Sequence, residues 1–303
     1  MSAVPTISVV VPCYNGGRFL DQLIASLAAQ TFRDFETVII NDGSTDAATL
    51  VKLATLDPVI QVIHQGKGGP AAARNRGFSQ ARADLVMVLD CDDMLEPTYL
   101  AETLSVLQSG PPEVGFVFTH ESLMGARQGI NTKYFNPFDQ LFENRVGYSM
   151  LIRKTAWGEA GGYDETMIDG CEDWEFSLRL IRAGFIGIEI PKPLLRYNVS
   201  EQGFQLSRAS RQHGKLWRQI RKKHRDLYRL PNLIRLFWEA RTSRCEISTF
   251  RAVVTLLLSI VLPDAWYSAF VHRVRSIRLA RAMKAAAAPM SAGQLRAKTG
   301  SGR

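Results

Sequence analysis

Short apolar runs rich in β-branched residues alternate with segments of helical periodicity over residues 6–108, and this alternation constrains the fold most strongly. It predicts βαβ units, a parallel sheet and right-handed crossovers, and therefore an α/β fold. The predicted strands cover residues 6–15, 35–46, 59–69 and 83–90, and the predicted helices cover 16–30, 46–56, 70–82 and 97–108.

The later part of the chain has a less regular pattern. A further strand is expected at 113–123, a mobile loop at 124–146 and a helix at 171–185. Residues 147–165 are expected to form a strand, a short helix and a glycine turn, and residues 186–200 two short strands.

Each of the first four predicted strands ends in polar residues. Ligands of parallel α/β sheets bind beyond the carboxyl ends of the strands, so four polar strand ends at one edge indicate a binding site. These segments are CYN at 13–15, NDGSTD at 41–46, GKGGPAAARNRG at 66–77 and DCDD at 90–93.

The acids that follow the fourth strand are crowded. Asp is common in turns, which is one reading of Asp90, Asp92 and Asp93. Neighbouring carboxylates also raise one another's pKa unless a cation lies between them, and a hard divalent ion would serve. Residues two apart on an extended strand point the same way, so Asp90 and Asp92 can converge on one ion while Cys91 points elsewhere.

The cysteine spacing and the hydropathy exclude some classes of protein. Four scattered cysteines without C-x-x-C spacing make a zinc site an unfavoured reading and are typical of reduced thiols in a cytoplasmic protein. The sequence starts without the pattern of a secretion signal, and its longest apolar run, 252–262, is about half of what a membrane-spanning helix needs. A cytoplasmic protein is therefore expected.

The charge is unevenly distributed. Residues 1–207 contain 16 Lys and Arg and 25 Asp and Glu, a net charge of −9, whereas residues 208–303 contain 21 and 4, a net charge of +17. This difference predicts a boundary near residue 205, between a first domain at 1–205 and a basic amphipathic helical extension at 206–283. Residues 284–303, rich in Ala, Gly and Ser, are expected to be a disordered tail.

The ordered set of motifs over residues 6–200 resembles that of family-2 inverting glycosyltransferases of the GT-A fold. The motifs are VVVPCYNGGRFLDQLIASLAAQT, VIINDGSTD, GGPAAARNRG, LDCDD, GGYDE and EDWEFSLRLIRAG. The resemblance implies a mostly parallel central sheet flanked by helices. It also implies transfer of a sugar from a nucleotide diphosphate donor to an acceptor hydroxyl, with magnesium or manganese as the divalent metal.

Residues at the first strand ends are the candidates for binding the nucleotide-sugar donor. Tyr14 can flank a base, Asp42 can accept an N–H from a pyrimidine, and Arg74 can donate to a base carbonyl or a phosphate. The resemblance gives these three positions similar roles. The alternatives are packing for Tyr14, a turn aspartate for Asp42 and an ion pair for Arg74. The predicted donor-binding set is Pro12, Tyr14, Asn15, Asp42, Arg74 and Asp90.

The resemblance also assigns the metal and the base. Asp92 would ligate the metal, and Asp90 would join it or bind the ribose or a metal-bound water. Asp173 would be the general base and Glu172 would orient the site, although two acids at a helix start are also favoured by the helix dipole. Trp174 is either a platform for a sugar ring or part of the core.

The basic extension contains an amphipathic segment at 207–230. Its apolar face predicts a helix lying on an anionic membrane surface, and the wider segment 208–283 is the candidate membrane-binding region. Nucleic-acid binding is the competing but unfavoured interpretation, and packing on the catalytic domain is the other alternative. The apolar face is formed by Leu216, Trp217, Ile220, Leu227 and Tyr228.

The function favoured by the sequence is metal-dependent, inverting transfer from a UDP-sugar to a glycan or lipid-linked saccharide in cell-envelope polysaccharide synthesis. The enzyme would work in the cytoplasm or at the inner membrane face. A sugar nucleotidyltransferase is a weaker alternative, because PCYNGGR at 12–18 is a poor match to a triphosphate-binding loop. A non-catalytic tether to a membrane or to nucleic acid is the alternative outside enzymes.

Overall fold

The computed structural model of the chain describes residues 3–200, 210–242, 249–262 and 266–267. The chain divides into two compact units, residues 1–252 and 253–303. The first unit holds the sheet and most of the described helices. The described part of the second unit is the end of one helix together with residues 266–267.

One mixed sheet organises the first unit. Its strands lie in the order β3-β2-β1-β4-β8-β6-β9-β5, and β7 pairs with residues 121–123 of β6. The described strands are β1 (Ile7–Cys13), β2 (Phe35–Asp42), β3 (Gln61–Gln65), β4 (Leu85–Val88), β5 (Met94–Leu95), β6 (Val114–Gly125), β7 (Gly129–Asn131), β8 (Leu151–Arg153) and β9 (Ile186–Val199).

Helices flank this sheet in the order that the sequence predicts for the first half. A single 3₁₀ turn at Gly17–Phe19 precedes the first of them. The described α-helices are α1 (Leu20–Ala28), α2 (Ala47–Ala54), α3 (Pro70–Gln80), α4 (Tyr99–Ser109), α5 (Pro137–Gln140), α6 (Lys154–Glu159), α7 (Glu172–Arg182), α8 (Ser210–Lys223), α9 (Leu230–Thr242) and α10 (Thr249–Val261).

The predicted parallel sheet is confirmed for β1 to β4. Strand β1 pairs in parallel with β2 and with β4, and β2 pairs in parallel with β3. Both faces of β1 are covered, so Val9, Val10 and Val11 are all fully buried. A central strand with two covered faces explains why its sequence is continuously apolar and does not alternate.

The region predicted as a mobile loop, 124–146, has a different structure. It contains the end of β6, strand β7 and helix α5, and residues 135–142 are buried. The side chain of Asn136 caps α5 by accepting from the backbone N–H groups of Phe138 and Asp139. The prediction was wrong because the polar residues Asn136, Asp139 and Gln140 suggested solvent exposure, whereas they form hydrogen bonds inside the protein.

Residues 186–200 also differ from the expected pair of short strands. They form one long strand, β9, whose two ends pair in parallel with β6, residues 186–190 with 114–119 and residues 195–199 with 121–125. Two register irregularities, at Val114/Phe116 and Thr119/Glu121, allow this pairing to follow the curvature of the sheet.

The apolar face of the basic segment is buried in the first unit and is not a membrane-facing surface. Leu216, Trp217, Ile220 and Leu227 are each at most 2% exposed. The hydroxyl of Tyr228 donates to the backbone oxygen of Leu141 at 2.5 Å. The periodicity of this segment was correctly predicted, but its apolar side packs on protein.

Several features predicted for the C-terminal third lie outside the described residues. These are residues 201–209, 243–248, 263–265 and 268–303, which include the end of the predicted extension and the predicted tail. Within the described part of the chain, no helix is long and apolar enough to cross a membrane.

Candidate active site

The ends of β1 and β2 are joined by the side chain of Asn15. Its backbone has a left-handed conformation with φ of 50°. Its side-chain oxygen accepts from the backbone N–H groups of Thr45 at 2.8 Å and Asp46 at 3.0 Å. Next to it, the ring of Tyr14 is 41% exposed, and the Lys67 ammonium lies 3.9 Å from the ring centroid. The Asn15 side chain therefore holds the turn at residues 45–46 beside the exposed ring of Tyr14.

Asp42, at the end of β2, holds the glycine loop that precedes α3. Its carboxylate accepts from the Gln65 side-chain amide at 2.7 Å and from the backbone N–H groups of Gly68 and Gly69, both at 2.8 Å. Gly69 has φ of 87°, a conformation that side chains rarely adopt. Among the described residues these three donors leave one acceptor position on the carboxylate, which suffices for one base N–H.

Arg74 connects the two acidic motifs. It is 2% exposed, and one end of its guanidinium donates to Glu172 at 2.7 Å while the other donates to Asp90 at 2.9 and 3.3 Å. The structure therefore contains the ion pair that was the alternative for Arg74, but the pair is buried. One guanidinium spans the end of β4 and the start of α7, which are 82 residues apart when counted from Asp90 to Glu172.

The turn after β4 carries three acids in three environments. Arg74 neutralises Asp90. Burial, followed by the charge of Asp90, raises the pKa of Asp92 to about 6. Asp93 is almost completely buried; its carboxylate accepts from the Tyr148 hydroxyl and from the Asn198 backbone N–H, which ties the turn to β9.

The middle residue of this motif contacts β1. The register of β1 and β4, extended beyond the paired residues, places Cys91 opposite Cys13. Gly16 covers both sulfurs: a Cβ added there would lie 2.4 Å from Cys91 Sγ. Cys91 therefore packs beneath Gly16. Residues 90–93 form a turn, closed by the hydrogen bond from the Asp93 backbone N–H to the Asp90 backbone oxygen at 3.1 Å, and not the extended strand that was expected.

Glu172 and Asp173 occupy the first turn of α7, as predicted, and each is 8% exposed. Asp173 accepts from its neighbour's backbone N–H, on Trp174, at 2.8 Å and from the Asn144 side-chain amide at 2.8 Å. Burial raises the pKa of Glu172, and the charge of Arg74 opposes that effect. The structure thus brings both acids close to the end of β4.

Trp174 belongs to the core and is not a sugar platform in this structure. It is 1% exposed, and its indole N–H donates to the Gln140 backbone oxygen at 2.6 Å. Three polar residues near the site were absent from the sequence prediction: Gln65, Asn144 and Tyr148. The only sequence signal for Asn144 was that FENRVGY, at 142–148, is rich in polar residues for a segment bounded by aromatic side chains.

Comparison with known proteins places this site in a family. The family model "Glycosyl transferase family 2" matches residues 8–164. The chain is 30% identical over 203 residues to "O-antigen biosynthesis protein RfbC" of Myxococcus xanthus, which covers 64% of the chain and 16% of that protein. It is 38% identical over 101 residues to "Glycosyltransferase GlyG" of Streptococcus pneumoniae, which covers 32% of the chain and 33% of that protein.

Solved structures share the fold. Staphylococcus aureus TarS in complex with UDP-GlcNAc superposes with a TM-score of 0.58 at 20% identity, covering 83% of this chain and 79% of that one. The mannosyltransferase PcManGT of Pyrobaculum calidifontis, in complex with GDP-Man and Mn²⁺, gives a TM-score of 0.52 at 19% identity, covering 98% and 80%. The predicted α/β fold of the GT-A type is confirmed, and the chain belongs to glycosyl transferase family 2.

Proposed function

We propose that the protein is a metal-dependent inverting glycosyltransferase that moves a sugar from a nucleotide diphosphate donor, with UDP favoured, to a hydroxyl of a glycan or lipid-linked saccharide in cell-envelope polysaccharide synthesis. The observation that carries the proposal is the buried contact of Arg74 with both Asp90 and Glu172. This contact links the end of β4, which carries the predicted metal ligands, to the first turn of α7, which carries the predicted base, and so supports the proposal. The O-antigen relative and the UDP-GlcNAc complex of TarS support the acceptor class and the donor.

The donor-binding residues have separate tasks in this proposal. Tyr14 presents an exposed ring face to the base, and Asp42 retains one acceptor position for a base N–H. Pro12 and Asn15 shape the end of β1, and Asn15 also holds the neighbouring turn. Arg74 holds Asp90 and Glu172, so we assign it the task of aligning the donor edge with the base.

The residues at the end of β4 fit a magnesium or manganese ion. Among the described residues no three His, Cys, Asp or Glu side chains group to hold a metal by themselves. Such ions need only one or two carboxylates when diphosphate supplies further ligands, and Asp92 and Asp90 offer two. Burial raises the pKa of Asp92, and the charge of Asp90 raises it further; a cation between the two carboxylates would relieve the second effect. When bound, the ion would stabilise charge on the leaving diphosphate.

Asp173 is the proposed base. It takes the proton of the acceptor hydroxyl while the acceptor oxygen bonds to the anomeric carbon and the bond from that carbon to the phosphate oxygen breaks. The nucleoside diphosphate leaves with the electron pair. A single displacement inverts the anomeric configuration. Glu172, bound to Arg74, orients the site and is not the proton acceptor.

The first experiment is calorimetry of the protein against UDP, GDP and dTDP, with and without manganese. We expect metal-dependent binding of one nucleotide, loss of that binding in Asp92→Asn, and normal binding without sugar transfer in Asp173→Asn. Normal transfer by Asp173→Asn would refute the base assignment. Pyrophosphate release from a nucleoside triphosphate and a sugar phosphate would instead indicate a nucleotidyltransferase.

We also propose that the enzyme is peripheral at the inner face of the cytoplasmic membrane through part of 208–283. Residues 210–242 contain ten Lys and Arg and two Asp and Glu, a net charge of +8. On α9, Leu230, Ile234 and Trp238 follow one another at a spacing of four residues and are 53%, 44% and 59% exposed. Apolar residues among basic ones favour an anionic lipid surface.

Vesicle sedimentation tests the membrane proposal. We expect binding to vesicles containing anionic lipid, little binding to neutral vesicles, and weaker binding by Ile234→Glu. The matched control is Val59→Glu, because Val59 is also exposed but precedes β3. Equal binding to both kinds of vesicle, or stronger binding to DNA than to anionic vesicles, would contradict this part of the proposal.

A further inference from the structure

We infer that Asn144 is the residue that positions the base: its side-chain amide holds the Asp173 carboxylate in the orientation that accepts the proton. The inference rests on the proposed function, because it concerns the same site. It starts from the hydrogen bond between Asn144 Nδ2 and Asp173 Oδ2, which is 2.8 Å long. No motif of the sequence analysis includes Asn144, and it lies in the region that was expected to be a loop.

The orientation of the Asn144 amide follows from its other contacts. Its oxygen accepts from the backbone N–H of Gly147 at 3.3 Å and from the Gln140 side-chain amide at 3.1 Å. A backbone N–H can only donate, so the amide oxygen must face it and the NH₂ group must face Asp173. The side chain of Gln140 is oriented in the same way, because its oxygen accepts from the Arg145 backbone N–H at 2.9 Å.

The support beneath Asn144 is buried and connected to the helix that carries the base. Gln140 is fully buried, and its side-chain NH₂ group also donates to Ser177, on α7, at 2.7 Å. The backbone oxygen of Gln140 accepts from the Trp174 indole. Helix α5 and helix α7 therefore hold Asn144 and Asp173 in one polar network, and a site on such rigid support keeps its geometry.

The network leaves the base able to react. Among the described residues, Asp173 accepts one N–H on each carboxylate oxygen, from Trp174 and from Asn144, so each oxygen keeps a lone pair for the acceptor hydroxyl. Asn144 thus supplies orientation without carrying a charge.

Two other ionisable groups near Asp173 are Glu172 and Tyr163. Glu172 shares the Arg74 guanidinium with Asp90 and keeps this partner in the Asn144 variants, because its ion pair does not involve Asn144. Tyr163 is buried, and burial raises the pKa of its hydroxyl above its ordinary value, so it stays neutral at physiological pH. A change of the pH profile in an Asn144 variant would therefore report the contact with Asp173 and not a new titration of these neighbours.

The test compares wild type, Asn144→Ala and Asn144→Asp. A displaced base costs up to about 100-fold in rate, so we expect kcat of Asn144→Ala to fall by about 10- to 100-fold, with the nucleotide affinity changed by less than about twofold. In Asn144→Asp a second carboxylate replaces the amide that donates to Asp173, so two carboxylates lie next to each other. We expect the acid limb of its pH–kcat profile to move upward by at least about one pH unit, with activity partly recovered at higher pH.

The matched control is Asn131→Ala. Asn131 lies in the same region, on β7, and its side-chain amide also donates to a carboxylate, that of Glu121, at 2.6 Å. We expect it to have wild-type kcat and an unchanged pH profile. Wild-type kcat in Asn144→Ala, or an unchanged profile in Asn144→Asp, would overturn the inference.

Two comparisons of variants distinguish a failure of this inference from a failure of the proposed function. If wild type transfers no sugar, or if Asp173→Asn transfers normally, the proposed function or its base is wrong. If Asp173→Asn abolishes transfer while the Asn144 variants behave like wild type, only the positioning role is wrong. Carboxyl NMR of Asp173 in the Asn144→Asp variant needs no activity: we expect its titration to move upward, and an unmoved titration would contradict the contact.

Discussion

The two acidic clusters of the site are neutralised in different ways. At the end of β4 the protein pairs Asp90 with Arg74 and buries Asp93 against two hydrogen-bond donors, while Asp92 keeps a raised pKa of about 6. At the start of α7 the acids have partners within the protein: Arg74 for Glu172 and Asn144 for Asp173. Similar residue types in similar crowding are thus prepared for different tasks.

The second cluster continues into the basic helices. Glu175, one turn farther along α7, is fully buried and accepts from Arg179 at 2.8 Å and contacts the His224 ring nitrogen at 3.0 Å. Lys223 and Arg179 both pair with Asp164 in the turn before α7. The α7 cluster therefore has partners from other parts of the fold, including α8, whereas burial and the charge of Asp90 raise the pKa of Asp92 in the β4 cluster.

The largest effect is expected for Arg74→Ala, which breaks the connection between the clusters. It leaves Glu172 as a buried carboxylate without its charged partner, a change that costs about 3–5 kcal/mol of unfolding free energy. Sugar transfer should be lost as well. Denaturant unfolding provides the measurement, and Arg76→Ala, an exposed position on the same helix, is the control. A loss of less than about 1 kcal/mol would mean that the clusters are held together by other contacts.

A smaller effect is expected for Gly16→Ala, which disturbs only the β4 cluster. Gly16 has φ of −108°, so alanine meets no backbone strain there, but its Cβ would lie 2.4 Å from Cys91 Sγ. Overpacking of this kind costs about 1–3 kcal/mol, and we expect weaker metal-dependent nucleotide binding because Asp90 and Asp92 flank Cys91.

The double variant Gly16→Ala/Cys91→Ala tests whether the steric contact with Cys91 causes the effect of Gly16→Ala. Removing the sulfur makes room for the new methyl group, so the double variant should regain nucleotide binding relative to Gly16→Ala. Calorimetry with UDP and manganese measures it. No recovery in the double variant would show that the damage at Gly16 has another origin.

The smallest effect is expected for Asp164→Asn, which weakens the α7 cluster at its contact with α8. Burial raises the pKa of Asp164, but the hydrogen bonds from Lys223 and Thr166 outweigh it and lower the pKa to about 2. A lowered folded-state pKa stabilises the protein above the unfolded pKa, and this stabilisation is lost as the pH falls from about 4 to about 2.

Asp164→Asn should therefore lower the unfolding free energy by about 1–2 kcal/mol at pH 7, and the difference from wild type should shrink towards pH 2. Denaturant unfolding between pH 7 and pH 2.5 measures both values. Asp84→Asn, at an exposed position, is the control. A difference that stays constant over this pH range would show that the carboxylate charge of Asp164 is not the cause.

The first half of the sheet could be predicted from local patterns in the sequence. Apolar runs and helical periodicity are local patterns, so β1 to β4 and the helices between them were predictable. Parallel strands place their carboxyl ends at one edge, so the polar segments after β1, β2 and β4 could be predicted to meet. Asp90 and Asp92 were predicted for the same reason and from the family resemblance, whereas Glu172 and Asp173 were predicted from the resemblance.

The tertiary structure alone decided which partners these residues have. Arg74 could be predicted to bind a carboxylate or a phosphate, but its selection of Asp90 and Glu172 depends on strands and helices far apart in sequence. Asn144 looked like a loop residue because hydrogen bonds to Gln140 and Asp173 leave no periodic pattern. The sequence of an amphipathic helix such as α8 shows that one face is apolar and must be buried. Only the fold determined that other parts of the protein cover Leu216 and Trp217 on this face.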